Sequence, residues 1–225
     1  ALNNVAQISG QFQQEVRGTL RIACPRPLGQ RHLVPLITEF TRLHPLVEVT
    51  LLVEDRMADL IAEQIDVAIR AAQLEDSSLV ARKLADNPRA LVAAPSYLER
   101  AGTPCTPEDL AQHDCLLWTR DNRVYDEWPL GMDGHTTLVR VQGRIHINDG
   151  MALAATACAG AGITLIDRLL VEQELADGTL VELLTPYSLP PGPPLHAVYP
   201  ARQWLALNTS TFVAFLLSRK FAQRV

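Results

Sequence analysis

Six histidines, four cysteines and twenty-five carboxylates are the groups with which this 225-residue chain could do chemistry. His113, Asp114 and Cys115 are consecutive. A thiolate–imidazole pair is not expected there. Ser96 stands in Ala-Ala-Pro-Ser-Tyr-Leu, without the glycines of a nucleophile elbow. Neither an HExxH pattern nor paired CxxC motifs occur. Cys24, Cys105, Cys115 and Cys158 have no metal-ligand spacing. Cys24 and Cys158 sit in apolar patterns and read as buried thiols. Cys105 and Cys115 could pair in an oxidising compartment. Gly160-Ala161-Gly162 follows a helical pattern and precedes a strand, which suits a helix C-cap and not a dinucleotide loop. The adjacent acids Glu108-Asp109 belong to a helix start, and Glu54-Asp55 are neighbours in sequence only. No catalytic constellation, metal site or cofactor is expected.

What remains is binding. One helix is expected to begin near Gly29-Gln30, beyond a strand at 20–23. A second is expected at Asp149-Gly150, beyond a strand at 144–147. Helix N-termini carry unpaired N–H groups and the positive end of a dipole, which suits a carboxylate. Arg26 and Arg70 lie at strand ends and could add bidentate contacts. Pro25, Pro27, Leu28, Ile147 and Met151 would supply apolar walls. Asn148 or Asp149 could instead cap its own helix and consume the donors. Asp167, at a third strand end, would repel an anion or suit an amine on a zwitterion.

The elements that must position these residues alternate between strand and helix. Leu20, Ile22 and Cys24 alternate with Thr19, Arg21 and Ala23, a strand pattern. Pro25, Pro27 and Gly29 break it. Leu33, Leu36, Ile37, Phe40 and Leu43 then recur at helical spacing, with Pro35 in the first turn. Val47, Val49 and Leu51 begin a second strand. Met57, Leu60, Ile61 and Ile65 suggest a short amphipathic helix, and 66–70 a third strand. Strands are also expected at 91–94, 116–118, 138–141, 143–147, 163–166, 180–184 and 195–199. Helices are expected around Tyr97, after Thr106-Pro107, at 151–159, at 169–175 and at 209–221. Residues 119–135 read as polar and turn-rich, and 186–194 as a proline-dense loop. An open parallel sheet of this kind binds ligands beyond its strands' carboxyl ends.

Net charge is −5 and the isoelectric point is near 5.7, with no basic run to track a phosphate backbone. Neither a signal peptide nor an apolar run long enough to cross a membrane is present. The chain reads as cytoplasmic. It begins at Ala1, and an N-terminal segment is expected upstream.

Ten segments fall in an order that resembles the LysR-type transcriptional regulators. They are Gly18–Ile22, Leu33–Pro35, Phe40, His44–Val49, Ile65–Arg70, Leu91–Leu98, Thr106–Leu110 with His113, Asn148–Gly150, Gly160–Ile163 and Asp177–Val181, spread over most of 18–221. The resemblance implies an α/β fold of two Rossmann-like subdomains with a ligand cleft between them, similar to type 2 periplasmic binding proteins. Residues 1–17 would be the end of a linker helix. Residues 18–91 and 195–225 would form subdomain I, and 92–194 subdomain II. It further implies a small-molecule effector, a domain dimer and a full-length tetramer. Promoter DNA would be bound by a winged helix-turn-helix outside this chain. Neither enzymatic activity nor membrane attachment is implied. Three positions depart from the family pattern: Gln64 stands where glycine is usual, Asp167 where proline is common, and Pro27 where a small hydroxyl residue often faces the effector. An extracytoplasmic solute-binding protein of similar fold is the alternative reading, and an enzyme on this fold a more distant one.

Overall fold

The computed structural model describes residues 15–54, 56, 58–71, 79–132, 134–201 and 205–219. The expected linker helix falls almost wholly outside them, as do Met57 and Phe221. The chain divides into two units. Unit 1 takes 1–69, 76–82 and 197–221; unit 2 takes 70–75, 83–196 and 222–225.

The chain starts with β1 (Arg17–Cys24), α1 (Arg26–Leu28), a π-helical turn (Gly29–Leu33), α2 (Val34–Leu43), β2 (Leu46–Val53), β3 (Val67–Ala71) and β4 (Leu79–Asn87). Helical geometry therefore begins at Arg26, earlier than the expected Gly29-Gln30. Pro25 and Pro27 start the helix instead of only breaking the strand. Pro25 is the N-cap residue, and its carbonyl accepts the Gly29 N–H at 2.9 Å. Pro27 lies in the first turn, where its missing N–H and fixed φ are tolerated. Leu33, Leu36 and Phe40 bury the expected stripe, while Leu43 is 56% exposed.

In place of the short helix expected at 57–65, residues 60–64 form turns. Asp59 Oδ1 accepts the N–H groups of Ile61 and Ala62, so the side chain replaces helical partners. Gln64 then adopts φ +53°, and the Ile65 N–H closes back on the Leu60 carbonyl. Glutamine here holds a left-handed conformation that glycine adopts at lower cost. Leu60 and Ile65 are buried with Ala23, Ala68 and Val198.

Unit 2 continues with β5 (Arg89–Ala93), α3 (Pro95–Ala101), a 3-10 helix (Pro107–Gln112), β6 (Leu116–Arg120), β7 (Arg123–Tyr125), β8 (Glu127–Met132), β9 (His135–Arg140), β10 (Ile145–Ile147), α4 (Gly150–Cys158), β11 (Thr164–Asp167), a 3-10 turn (Arg168–Leu170), α5 (Glu172–Ala176) and β12 (Val181–Glu182). Thr106 and Asp109 form a reciprocal capping box around the start of the first 3-10 helix. Gly160 takes φ +73° just past α4, as a C-cap requires. Residues 119–135, expected to be turns, contain β7 and β8. Cross-strand partners hold them: Trp118 faces Tyr125, and Trp128, 4% exposed, faces Val139. The Cys105–Cys115 pairing does not form; Cys105 is exposed and Cys115 buried.

The chain ends with β13 (Gly192–Pro200), which takes in part of the expected proline-dense loop, and α6 (Leu207–Ser218). One five-stranded sheet has the order β2-β1-β3-β13-β4, with β1 parallel to both β2 and β3. Phe40 of α2 meets Phe212 of α6 edge-on, at 5.0 Å between ring centroids.

Candidate functional site

The residues expected to bind a ligand fall on two sheet edges. The first follows from the register of parallel strands. Ile22 pairs with Val67 and Ala23 with Ala68, so β1 and β3 end on the same side of their sheet. Pro25, Arg26, Pro27 and Leu28 leave from the end of β1, and Arg70 lies near the end of β3. Arg26 is exposed; Pro25, Pro27 and Arg70 are half-buried. Leu28 is buried, at 4% exposure. Pro27 also removes one N–H donor from the first helical turn.

The second edge lies within unit 2. β10 runs parallel to β6, and the start of β11 bridges to β6 in the same sense through Cys115 and Ile163. β6, β10 and β11 therefore point their carboxyl ends to one side. Ile147 ends β10 and α4 begins three residues later. Asp149 caps that helix, its Oδ1 accepting the Ala152 N–H at 2.8 Å. The helix start thus already carries its own carboxylate, which weakens it as an anion site. Asn148 is exposed, while Ile147 and Met151 are half-buried.

Asp167 ends β11 on this edge. Arg89 sits directly opposite it on antiparallel β5, with Nε 3.5 Å from Oδ1. The amide nitrogen of Asn87 donates to Asp167 Oδ2 at 3.0 Å. The Arg168 N–H donates to the Pro88 carbonyl at 2.8 Å and draws the two chain segments together. Asn87, Arg89 and Trp118 were not singled out by sequence reading. Asn87-Pro88 reads as a turn dipeptide, and nothing local ties either neighbour to a residue near 167. Trp118 is the β6 partner of Ile147 and stands half-buried at the same edge.

Among the described residues, neither edge places a nucleophile beside a base. A buried tyrosine–histidine contact, Tyr97 with His113, lies in the core of unit 2. Among the described residues no three His, Cys, Asp or Glu side chains are grouped as a metal site. The chemistry on offer is recognition of charge and shape: two arginines near one edge, and a carboxylate with an amide and a guanidinium at the other.

The model of the LysR substrate binding domain matches residues 13–220. The chain belongs to this family. Among relatives of the LysR domain, the HTH-type transcriptional regulator PtxR of Pseudomonas aeruginosa is 32% identical over 216 residues, covering 96% of this chain and 67% of the relative. The HTH-type transcriptional activator AaeR of Escherichia coli is 36% identical over 203 residues, covering 90% of this chain and 65% of the relative. The solved regulatory domain of CrgA, a LysR-type regulator from Neisseria meningitidis, superposes with a TM-score of 0.80 at 29% identity, over 90% of this chain and 98% of that one. The LysR domain here is therefore the effector-binding part of a LysR-type transcriptional regulator, with the type 2 periplasmic-binding-protein-like α/β fold. Its relatives are regulators and not enzymes, which favours this reading over a solute-binding protein. No helix among the described residues of the LysR domain is long and apolar enough to cross a membrane.

Proposed function

We propose that this domain senses a small organic anion and passes the signal to promoter DNA through a helix-turn-helix outside this chain. The supporting observation is the edge where β1 and β3 end together. Two arginines, Arg26 and Arg70, accompany it, with Pro25 and Pro27 as apolar neighbours. An arginine fork matches a carboxylate in two parallel hydrogen bonds. The net charge of −5 argues against DNA contact by these residues themselves. The site of action is the cytoplasm, where promoter DNA lies, and the domain has no enzymatic activity of its own. It works as a dimer, and the full-length regulator as a tetramer.

A thermal-shift panel of anionic, neutral and cationic metabolites on wild type, Arg26→Ala and Arg70→Ala tests the ligand class. Anions should give the largest rises in melting temperature, and each arginine change should reduce them. Best ligands that are neutral, or anion binding untouched by both changes, would overturn the proposal.

A further inference from the structure

Helix α6 carries no charged residue, although one of its faces meets solvent. Phe212, Phe215 and Leu216 are buried, and the two phenylalanines meet Phe40 of α2 at 5.0 and 5.3 Å between ring centroids. Leu207, Ser210, Thr211, Ala214 and Leu217 recur at helical spacing on the opposite face. Leu207 and Leu217 are 40% and 48% exposed. The Ser210 hydroxyl donates to the Leu207 carbonyl at 3.0 Å, so the helix's own backbone takes up this donor. A surface helix normally turns charged side chains to water. Two leucines, an alanine and small hydroxyl residues instead suit close packing against a second helix.

The chain itself supplies the occupant. Residues 1–14, which precede the described part, also contain no charged residue. Leu2, Val5, Ile8 and Phe12 recur every three or four positions, an apolar stripe at helical period. A helix this short is marginal in water without something to pack on. The place where the segment joins the fold is set by β1, which starts at Arg17. In the first turn of α6 the Asn208 side-chain amide donates to the Thr19 carbonyl at 2.9 Å. The segment therefore arrives beside the end at which α6 begins. The lengths agree as well: Leu2 to Phe12 and Leu207 to Leu217 are the same distance apart in sequence, about 15 Å of helix. Residues 13–16 reach about 13 Å when extended, more than the ~8–10 Å between packed helix axes.

We propose that residues 1–14 dock as a helix on the uncharged face of α6 of the same chain, antiparallel to it. Phe12 then lies toward Leu207 and Leu2 toward Leu217, with Val5 and Ile8 over Ser210, Thr211 and Ala214. Large side chains of the segment meet small ones of α6, which lets the two backbones approach. This contact stands apart from the sensing reading above and needs no ligand.

Hydrogen–deuterium exchange of the whole 225-residue chain tests it. Amides of residues 2–14 should exchange at least about tenfold more slowly than in a free peptide of the same sequence. Ala214→Glu with Leu217→Glu places charges at positions already exposed, and should remove that protection while β1 keeps its own. Ile8→Glu should do the same from the other side, and decides the matter if the α6 variant fails to fold. Protection absent from wild type, or kept in either folded variant, would overturn the proposal. So would protection that returns when the two variants are mixed, because the face would then be covered by a second copy of the chain.

Discussion

The Tyr97 hydroxyl lies 3.0 Å from His113 Nδ1 and accepts the Asp114 N–H at 2.9 Å. The oxygen and Nδ1 are hydrogen-bonded in either tautomer, since the hydroxyl can donate to a bare Nδ1 or accept from an Nδ1–H. Both rings are buried, at 3% and 8% exposure. Burial also raises the phenol above the ordinary tyrosine range. The hydroxyl thus ties α3 to the segment that leads into β6.

Tyr97→Phe should therefore cost about 2 kcal/mol, because it leaves a buried ring nitrogen and a backbone N–H without their partner. Urea unfolding measures it as a lower midpoint with an unchanged slope. A loss below about 0.5 kcal/mol, half the typical value of one hydrogen bond, would mean that solvent replaces the contact.

Gln64 holds φ +53°. Left-handed geometry costs an L-residue about 1–2 kcal/mol, and glycine returns roughly half of that as chain entropy. Gln64→Gly should raise stability by about 0.5–1 kcal/mol, a gain of ~1–4 °C in melting temperature for a chain of this size. Gln64→Ala keeps the backbone cost and should show no such gain. Calorimetric scans of the three proteins decide it.

Burial pushes the Cys115 thiol up to about 12 from its usual 9. Cys105 is exposed. Under native conditions a maleimide should label Cys105 first and leave Cys115 unmodified, since the thiolate is the nucleophile. Keeping Cys115 protonated also links stability to pH. The folded pKa is raised, so this contribution is complete below pH 9 and is lost as the pH climbs toward about 12. Between those limits, Cys115→Ala should lose stability less steeply than wild type. Parallel slopes for the two proteins would contradict the assignment.

The proposed dimer has a candidate surface in unit 1. Val34, Leu43 and Leu46 are 45%, 56% and 48% exposed, on α2 and on β2, which is an edge strand. An exposed sheet edge with apolar neighbours is unusual on a monomer. Leu43→Glu with Leu46→Glu should shift sedimentation at micromolar concentration from dimer to monomer. Folding stability should change little, because both side chains already meet solvent. A wild-type monomer, or a dimer indifferent to both charges, would remove this surface from consideration.

Much of the order of elements was legible because its causes are local. The Thr106–Asp109 capping box, the Asp149 cap and the Gly160 C-cap each join residues within a few positions of one another. The buried stripe from Leu33 to Phe40 follows from helical period alone. The same locality misled at 57–65, where a helical stripe of apolar residues is overruled by the Asp59 side chain and by left-handed Gln64. It also hid β7 and β8, whose stability comes from partners across the sheet and not from alternation within the strand.

Of the site, Arg26, Arg70 and Asp167 could be named from their places at strand ends. The sequence alone determined those residue types, their order and the family pattern around them. Only the tertiary structure decided what they face. Asn87 and Asp167 are 80 residues apart, and their contact exists because β4, β5 and β11 bring their ends to one edge. Leu28, expected to line a wall, lies in the helix that starts at Arg26 and is 4% exposed, a burial that the sequence did not announce. Local chemistry sets where a strand or helix begins, but which side chains meet is set by register and packing between segments distant in sequence.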